Sequence, residues 1–288
     1  MHGLERLNPI AVTIYFLLVS SRIMLSMDPV LLCCSLIGAL LLHVVLCGFS
    51  QKRMHLYSLA LFAVMAIINP LFNHNGATVL FVMNNNPVTL EALLYGVAAA
   101  GMILSVIYWF RSFSQIMTSD KLLYVFGGIS PKLALLLSMT LRYVPLFSMQ
   151  AKKISQSQKA LGLYKEDNII DGFRGGLRIF SVMVTWTLEN GIITADSMTA
   201  RGYGTGKRSR YSLFRWQKED VLLTLLSVLL CGISFAFDSG FAFYPVVQSL
   251  DFSHGMAAGY LAYGLLSLLP VIIEGKEALK WRILTSRM

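Results

Sequence analysis

Two short stretches carry residue types that can grip another protein. Ser157-Gln158-Lys159-Ala160-Leu161-Gly162 and Ser197-Met198-Thr199-Ala200-Arg201-Gly202 share their Ser, Ala and Gly positions at a start-to-start separation of 40 residues. Each glycine follows a run with helical apolar spacing, and glycine is the usual C-terminal stop of a helix. A guanidinium at a helix end can pair bidentately with a partner carboxylate and stays charged. A glycine beside it lets a partner backbone approach closely. Arg201 meets that description, whereas its counterpart Leu161 offers an apolar knob. Taken alone, the repeat fits two ordinary helix caps as well as two docking ends, and Arg201 alone also fits a solvated arginine.

Two helical arms would position these ends. The first is expected from Pro131 to Leu161, with proline suited to the first turn and Pro145 placed to kink it. Phe147, Ala151, Ile154 and Leu161 share one face, with Lys152, Lys153, Gln156 and Lys159 on the others. The second is expected from Gly176 to Arg201, where Phe180, Met183, Val184, Leu188, Ile192, Ala195 and Met198 recur at helical spacing. Gly172-Phe173-Arg174-Gly175-Gly176 reads as a glycine-rich turn between the arms.

The rest of the chain reads as membrane. Apolar residues make up 56% of the 288 residues and charged residues 14%, against about 45–50% and about 25% in soluble domains. Six runs are long and apolar enough to span a bilayer, at about 9–26, 30–49, 55–73, 88–110, 220–238 and 256–274. The connections 26–29, 73–87 and 238–255 hold no Lys or Arg. Arg6, Lys52, Arg53, the block 111–218, Lys276, Lys280, Arg282 and Arg287 fall on the opposite side, which leaves only Arg22 near the outer face. This is a positive-inside pattern, with both termini expected in the cytoplasm of a multi-pass cell-membrane protein. Block 111–218 carries 16 Lys+Arg and 6 Asp+Glu, and the remainder 8 and 9. The basic charge is therefore topological, and no nucleic acid is expected as a partner. The expected fold is an all-α integral membrane protein of about six transmembrane helices with a cytoplasmic helical module. Its expected divisions are 1–111, 112–218 and 219–288. The N-terminus reads as an uncleaved first span.

Several chemistries find no residues here. Cys33, Cys34, Cys47 and Cys231 lie in apolar runs and read as packing residues. The five histidines are scattered, so no metal site or cofactor is expected. There is no G-x-x-x-x-G-K-[ST] nucleotide loop and no carboxylate pair within a span. No catalytic residue is expected, and energy for any transport must come from another chain. Glu166-Asp167 with Asp171 is the only acidic cluster that could serve the alternative, an integral membrane enzyme of lipid or isoprenoid metabolism. A permease with its own substrate path is disfavoured by the lack of polar residues in the spans. Lys207-Arg208-Ser209-Arg210, Tyr211 and Arg215-Trp216 read as a lipid-headgroup anchor.

The motif order resembles the transmembrane T component of energy-coupling factor (ECF) importers, a family that includes the cobalt-transporter Q-type permeases. Leu141-Arg142-Tyr143-Val144-Pro145-Leu146 is similar to the family's L-R-[FY]-[IV]-P-L. The two arm ends are similar to its A-Q-x-A-R-G and A-R-G-[YF] motifs. Leu7-Asn8-Pro9, Thr89 to Leu93, Thr118 to Leu123 and Pro131 to Leu135 extend the likeness over about residues 5–218. The resemblance implies a non-catalytic coupling subunit of an ATP-driven vitamin or metal-ion importer. It implies two ATP-binding-cassette ATPases as partners, held through Ala160-Leu161-Gly162 and Ala200-Arg201-Gly202, and a small substrate-binding membrane subunit. The family's first motif has Arg where this chain has Leu161. That departure fits either two non-identical ATPases or a weaker polar contact on one side.

Overall fold

The structure is a computed structural model that describes residues 3–48, 52–73, 75–83, 86–162, 169–206, 214–238, 240–248 and 254–285. The order of elements is α1 (Gly3–Arg6), α2 (Pro9–Leu25), α3 (Pro29–Cys47), α4 (Lys52–Phe72), β1 (Val79–Met83), β2 (Asn86–Thr89), α5 (Leu90–Ile116), α6 (Ser119–Ile129), α7 (Pro131–Ala160), α8 (Ile169–Ala200), α9 (Lys218–Ala236) and α10 (His254–Thr285). The chain divides into two compact units, one of residues 1–122 and 214–288 and one of residues 123–213.

In the first unit, α2, α9, α10, α3 and α5 pack each on the next and close a ring, with α4 packed mainly on α5. Lipid is as apolar as leucine, so such helices associate through close packing and interhelix hydrogen bonds rather than by leaving water. Tyr15, Phe16, Trp109 and Phe113 meet edge to face between α2 and α5. Trp109 Nε1 donates to Ser35 Oγ at 2.9 Å, Ser35 and Ser105 lie 2.6 Å apart, and Tyr15 OH donates to the Leu266 carbonyl at 2.8 Å. Gly38 brings α3 close to α10, where a Cβ would lie 2.8 Å from Ser267 Cβ and 2.9 Å from its carbonyl oxygen.

Helix starts follow local chemistry. Asn8 caps α2 by accepting from Ile10 N, and a proline opens α2, α3 and α7. Gln217 and Asp220 form a capping box at α9. Asp220 Oδ1 also accepts from Asn8 N at 2.7 Å, which ties α9 to the start of α2. Lys121 Nζ donates to the Ile116 carbonyl at 3.0 Å and closes the end of α5. Burial holds its amine below the usual lysine value, partly opposed by Glu5.

Among the described residues, six helices are long and apolar enough to cross a membrane: α3, α4, α5, α7, α9 and α10. The chain is an all-α, multi-pass membrane protein, and the set differs from the expected one in two places. Helix α2 has 17 residues, about 25 Å at 1.5 Å per residue, below the usual spanning length. Ser20 and Arg22 are buried against the other helices along with most of its apolar residues. Helix α7 qualifies through its apolar first half, though that stretch is not buried within its own unit. Val79–Met83 and Asn86–Thr89, which fall in the expected connection 73–87 and the first residues of the expected span 88–110, pair as antiparallel strands. Thr78 anchors their base, with its amide and hydroxyl both donating to the Glu91 carboxylate. The glycine-rich stretch 172–176 is helical, and α8 begins at Ile169. There the apolar spacing of Phe173, Leu177, Phe180 and Val184 runs through the glycines and extends the second arm backwards.

Candidate functional site

The second unit builds its arms from α7 and α8, which meet through aromatic side chains. Tyr143 stacks on Phe147 at 5.6 Å, Phe147 meets Trp186 edge on at 5.8 Å, and the Tyr143 hydroxyl bonds Thr194 Oγ1 at 2.8 Å. The guanidinium of Arg142 lies 5.3 Å from the Tyr143 ring. The Leu141 to Leu146 motif therefore supplies the junction between the arms. From the Phe147–Trp186 contact the arms run on by about 21 and 22 Å to Leu161 and Arg201, and from the Tyr143–Thr194 bond by about 27 and 10 Å.

Both arms end in the same backbone form. Gly162 has φ +70° and Gly202 φ +80°, the left-handed region that favours glycine. Gly162 N donates to the Lys159 carbonyl at 3.0 Å, and Gly202 N to the Thr199 carbonyl at 2.9 Å. Tyr203 N reaches the Met198 carbonyl at 2.9 Å, which completes a Schellman cap on α8. Ser157 and Ser197 each return a hydroxyl to the carbonyl four residues earlier. Ala160, Leu161, Gly162, Ala200, Arg201 and Gly202 are all exposed. Leu161 is 73% exposed, an unusual placement for a leucine beside a lysine-rich helix surface.

Sequence reasoning passed over two buried polar groupings in the first unit. Arg22 is 1% exposed. Its Nε donates to Ser234 Oγ at 3.0 Å, and Nη2 donates to the Ser234 carbonyl at 3.0 Å and to Asp238 Oδ1 at 2.8 Å. The arginine expected near the outer face is thus buried, and it pairs with the partly exposed Asp238 just past α9. The histidines are also less scattered than they read, because His43 and His55 lie 5.6 Å apart by ring centroid. His55 Nδ1 and Ser58 Oγ each lie 2.8 Å from the Tyr108 hydroxyl. The i, i+3 spacing of His55 and Ser58 was the available signal, but their shared partner lies on another helix.

Among the described residues no group of three His, Cys, Asp or Glu side chains is placed to hold a metal. The four cysteines are free thiols. Glu166-Asp167 and Lys207 to Tyr211 lie outside the described residues, and Asp171 sits in the first turn of α8.

A ring of membrane helices joined in sequence to a pair of glycine-capped helical arms defines a multi-pass membrane protein with a helical-arm module. Residues 2–212 match the family model for cobalt transport protein, CbiQ, and the chain belongs to that family. Curated relatives carry the name energy-coupling factor transporter transmembrane protein EcfT. The chain is 33% identical to the one from Streptococcus equi subsp. equi over 101 residues, 34% of this chain and 38% of that relative. It is 31% identical to the one from Listeria innocua over 106 residues, 36% of this chain and 40% of the relative. With the one from Lactococcus lactis subsp. cremoris it shares 26% identity over 210 residues, 68% of this chain and 77% of the relative. The matched stretch thus spans about two fifths of the first two relatives. The chain is accordingly a multi-pass membrane protein of the CbiQ family.

Proposed function

We propose that this chain is the coupling subunit of an ATP-driven ECF importer of a vitamin or metal ion. The ends of α7 and α8 hold two ATP-binding-cassette ATPases, and a separate small membrane protein captures the substrate. Residues 123–213 then face the cytoplasm, where the positive-inside pattern also puts both termini. The observation that carries the reading is the pair of exposed, glycine-ended arm tips on two helices that meet at one aromatic junction. Two such ends on helices that share a pivot suit a pair of ATPases. Closure of the ATPases on ATP moves the ends, and the Tyr143–Phe147–Trp186 junction transmits that motion. The chain supplies no nucleotide loop of its own, so the energy enters through the arm ends.

Arg201→Glu tests the assignment. Reversing the tip charge is expected to abolish copurification of the ATPases while membrane insertion stays intact. Copurification at the wild-type level would sink the role of Arg201.

A further inference from the structure

The β1–β2 pair is apolar on the side that faces away from the helices. In an antiparallel ribbon resting on a core, the outward residues are ordinarily polar. Here they include Val79, Leu80 and Val82, all exposed, with Val82 at 64%. The register pairs Val79 with Thr89 and Val82 with Pro87, and an irregularity between Val79 and Phe81 leaves Leu80 unmatched. The inward side is fixed, because Val88 and Thr89 are buried and β2 packs on α4 and α5. Leu71 and Phe72, at the end of α4 that leads into the ribbon, are exposed as well.

Charge and length say what covers this surface. No Asp, Glu, Lys or Arg occurs between Arg53 and Glu91. Glu91 itself is buried and accepts from the Thr78 amide and hydroxyl. Gly76, at φ +142°, lets the chain pass over that carboxylate, since a Cβ there would lie 2.5 Å from Glu91 Oε2. Helix α4 has 21 residues, about 31 Å at 1.5 Å per residue, against a hydrocarbon core about 30 Å thick. With Lys52 and Arg53 at one boundary, Phe72 reaches the other, and β1 follows there. Only Ser58 and Pro70 of α4 are buried, so lipid covers most of this helix, and the ribbon continues its lipid-facing surface.

We propose that the β1–β2 ribbon is a membrane-interface anchor. It lies in the headgroup layer at the ends of α4 and α5 opposite Lys52, Arg53 and Arg111, and Val79, Leu80 and Val82 enter the acyl chains. Its depth follows from hydrogen bonding. A two-stranded pair has open edges, and their N–H and C=O groups find no partner in hydrocarbon. At the headgroup boundary those edges meet water while the apolar face meets lipid, as in an interfacial amphipathic helix. The inward-turned Glu91 keeps the one nearby charge out of that layer. The anchor does not depend on what the arm ends bind.

Spin labels measure the depth. Cys33, Cys34, Cys47 and Cys231 are replaced by alanine, and Leu80→Cys or Val82→Cys is introduced singly and given a nitroxide. Val64→Cys, exposed in the middle of α4, is the lipid reference, and Ser157→Cys on the exposed arm is the water reference. The full chain is placed alone in phosphatidylcholine–phosphatidylglycerol vesicles. Collisions are measured with oxygen, which concentrates in hydrocarbon, and with a water-soluble nickel chelate, which is excluded from it. The expected result is that labels at 80 and 82 collide with oxygen as Val64→Cys does and lose the nickel collisions seen at Ser157→Cys. Nickel collisions at the Ser157→Cys level would put the ribbon in water and overturn the anchor. Loss of both oxygen and nickel collisions would mean that a second copy of the chain covers the ribbon, which also overturns it. Val79→Asp with Leu80→Asp, read from the label at Val82→Cys, gives an independent result. The two carboxylates are expected to lift the ribbon and restore nickel collisions at 82 while Val64→Cys in the same variant keeps its values. Nickel collisions at 82 that stay at the lipid level would contradict the proposal.

Discussion

Asp238→Asn removes the counterion of a guanidinium that has no route to water. Arg22 is 1% exposed, with Asp238 Oδ1 2.8 Å from Nη2. Breaking a buried ion pair by neutralising one partner costs about 3–5 kcal/mol. Two features reduce that here. The Asp238 side chain is 39% exposed, so water screens part of the attraction. The Ser234 bonds and the Phe235 ring, 4.7 Å from the guanidinium carbon, remain in the variant. The expected loss is about 2 kcal/mol, or about 4–8 °C in the thermal midpoint for a chain of this size. Tryptophan fluorescence of the detergent-purified protein during heating measures it. Arg22→Met combined with Asp238→Asn removes both charges and should recover most of the loss. A single variant that melts with the wild type, or a double variant that melts below the single, would refute the assignment of Asp238 as the counterion.

Gly202→Ala places a Cβ at φ +80° and should weaken the α8 cap by about 1 kcal/mol. Hydrogen exchange reads this as roughly fivefold faster exchange at the Gly202 and Tyr203 amides, and unchanged exchange would contradict the cap. Gly38→Val forces α3 from α10 and should cost about 1–3 kcal/mol in thermal stability. Gly264→Ala serves as the contrast, since its Cβ would lie no nearer than 4.0 Å to Cys34 Sγ and should be tolerated.

What the sequence revealed depended on whether the signal was local. Pro131 and Gly162 bracket α7 to within a residue because proline at a first turn and glycine past the last are chemical stops in themselves. The apolar run of α3 was equally plain. The start of α8 was not, because Gly172, Gly175 and Gly176 suggested a turn while the stripe from Phe173 to Val184 held the helix together. The hairpin was hidden by asparagines on both sides of Val79 to Met83, although that run has strand-forming residues. Arg22 and Asp238 are 216 residues apart in sequence, and no periodicity connects them. The site divides in the same way. The capped arm ends follow from glycine positions, whereas the junction of Tyr143 with Thr194 comes from tertiary packing. The motif containing Tyr143 was recognisable by its resemblance, but its place in the arm junction was not.

If the arms couple ATP hydrolysis to transport, their ends move with the ATPases. Spin labels on Ser157→Cys and Ser197→Cys, with the four native cysteines replaced by alanine, report the distance between the arm ends in the intact transporter. One distance distribution is expected without nucleotide and a shifted one with ATP trapped in the ATPases. Identical distributions in both states, in a transporter that still hydrolyses ATP and imports substrate, would contradict it.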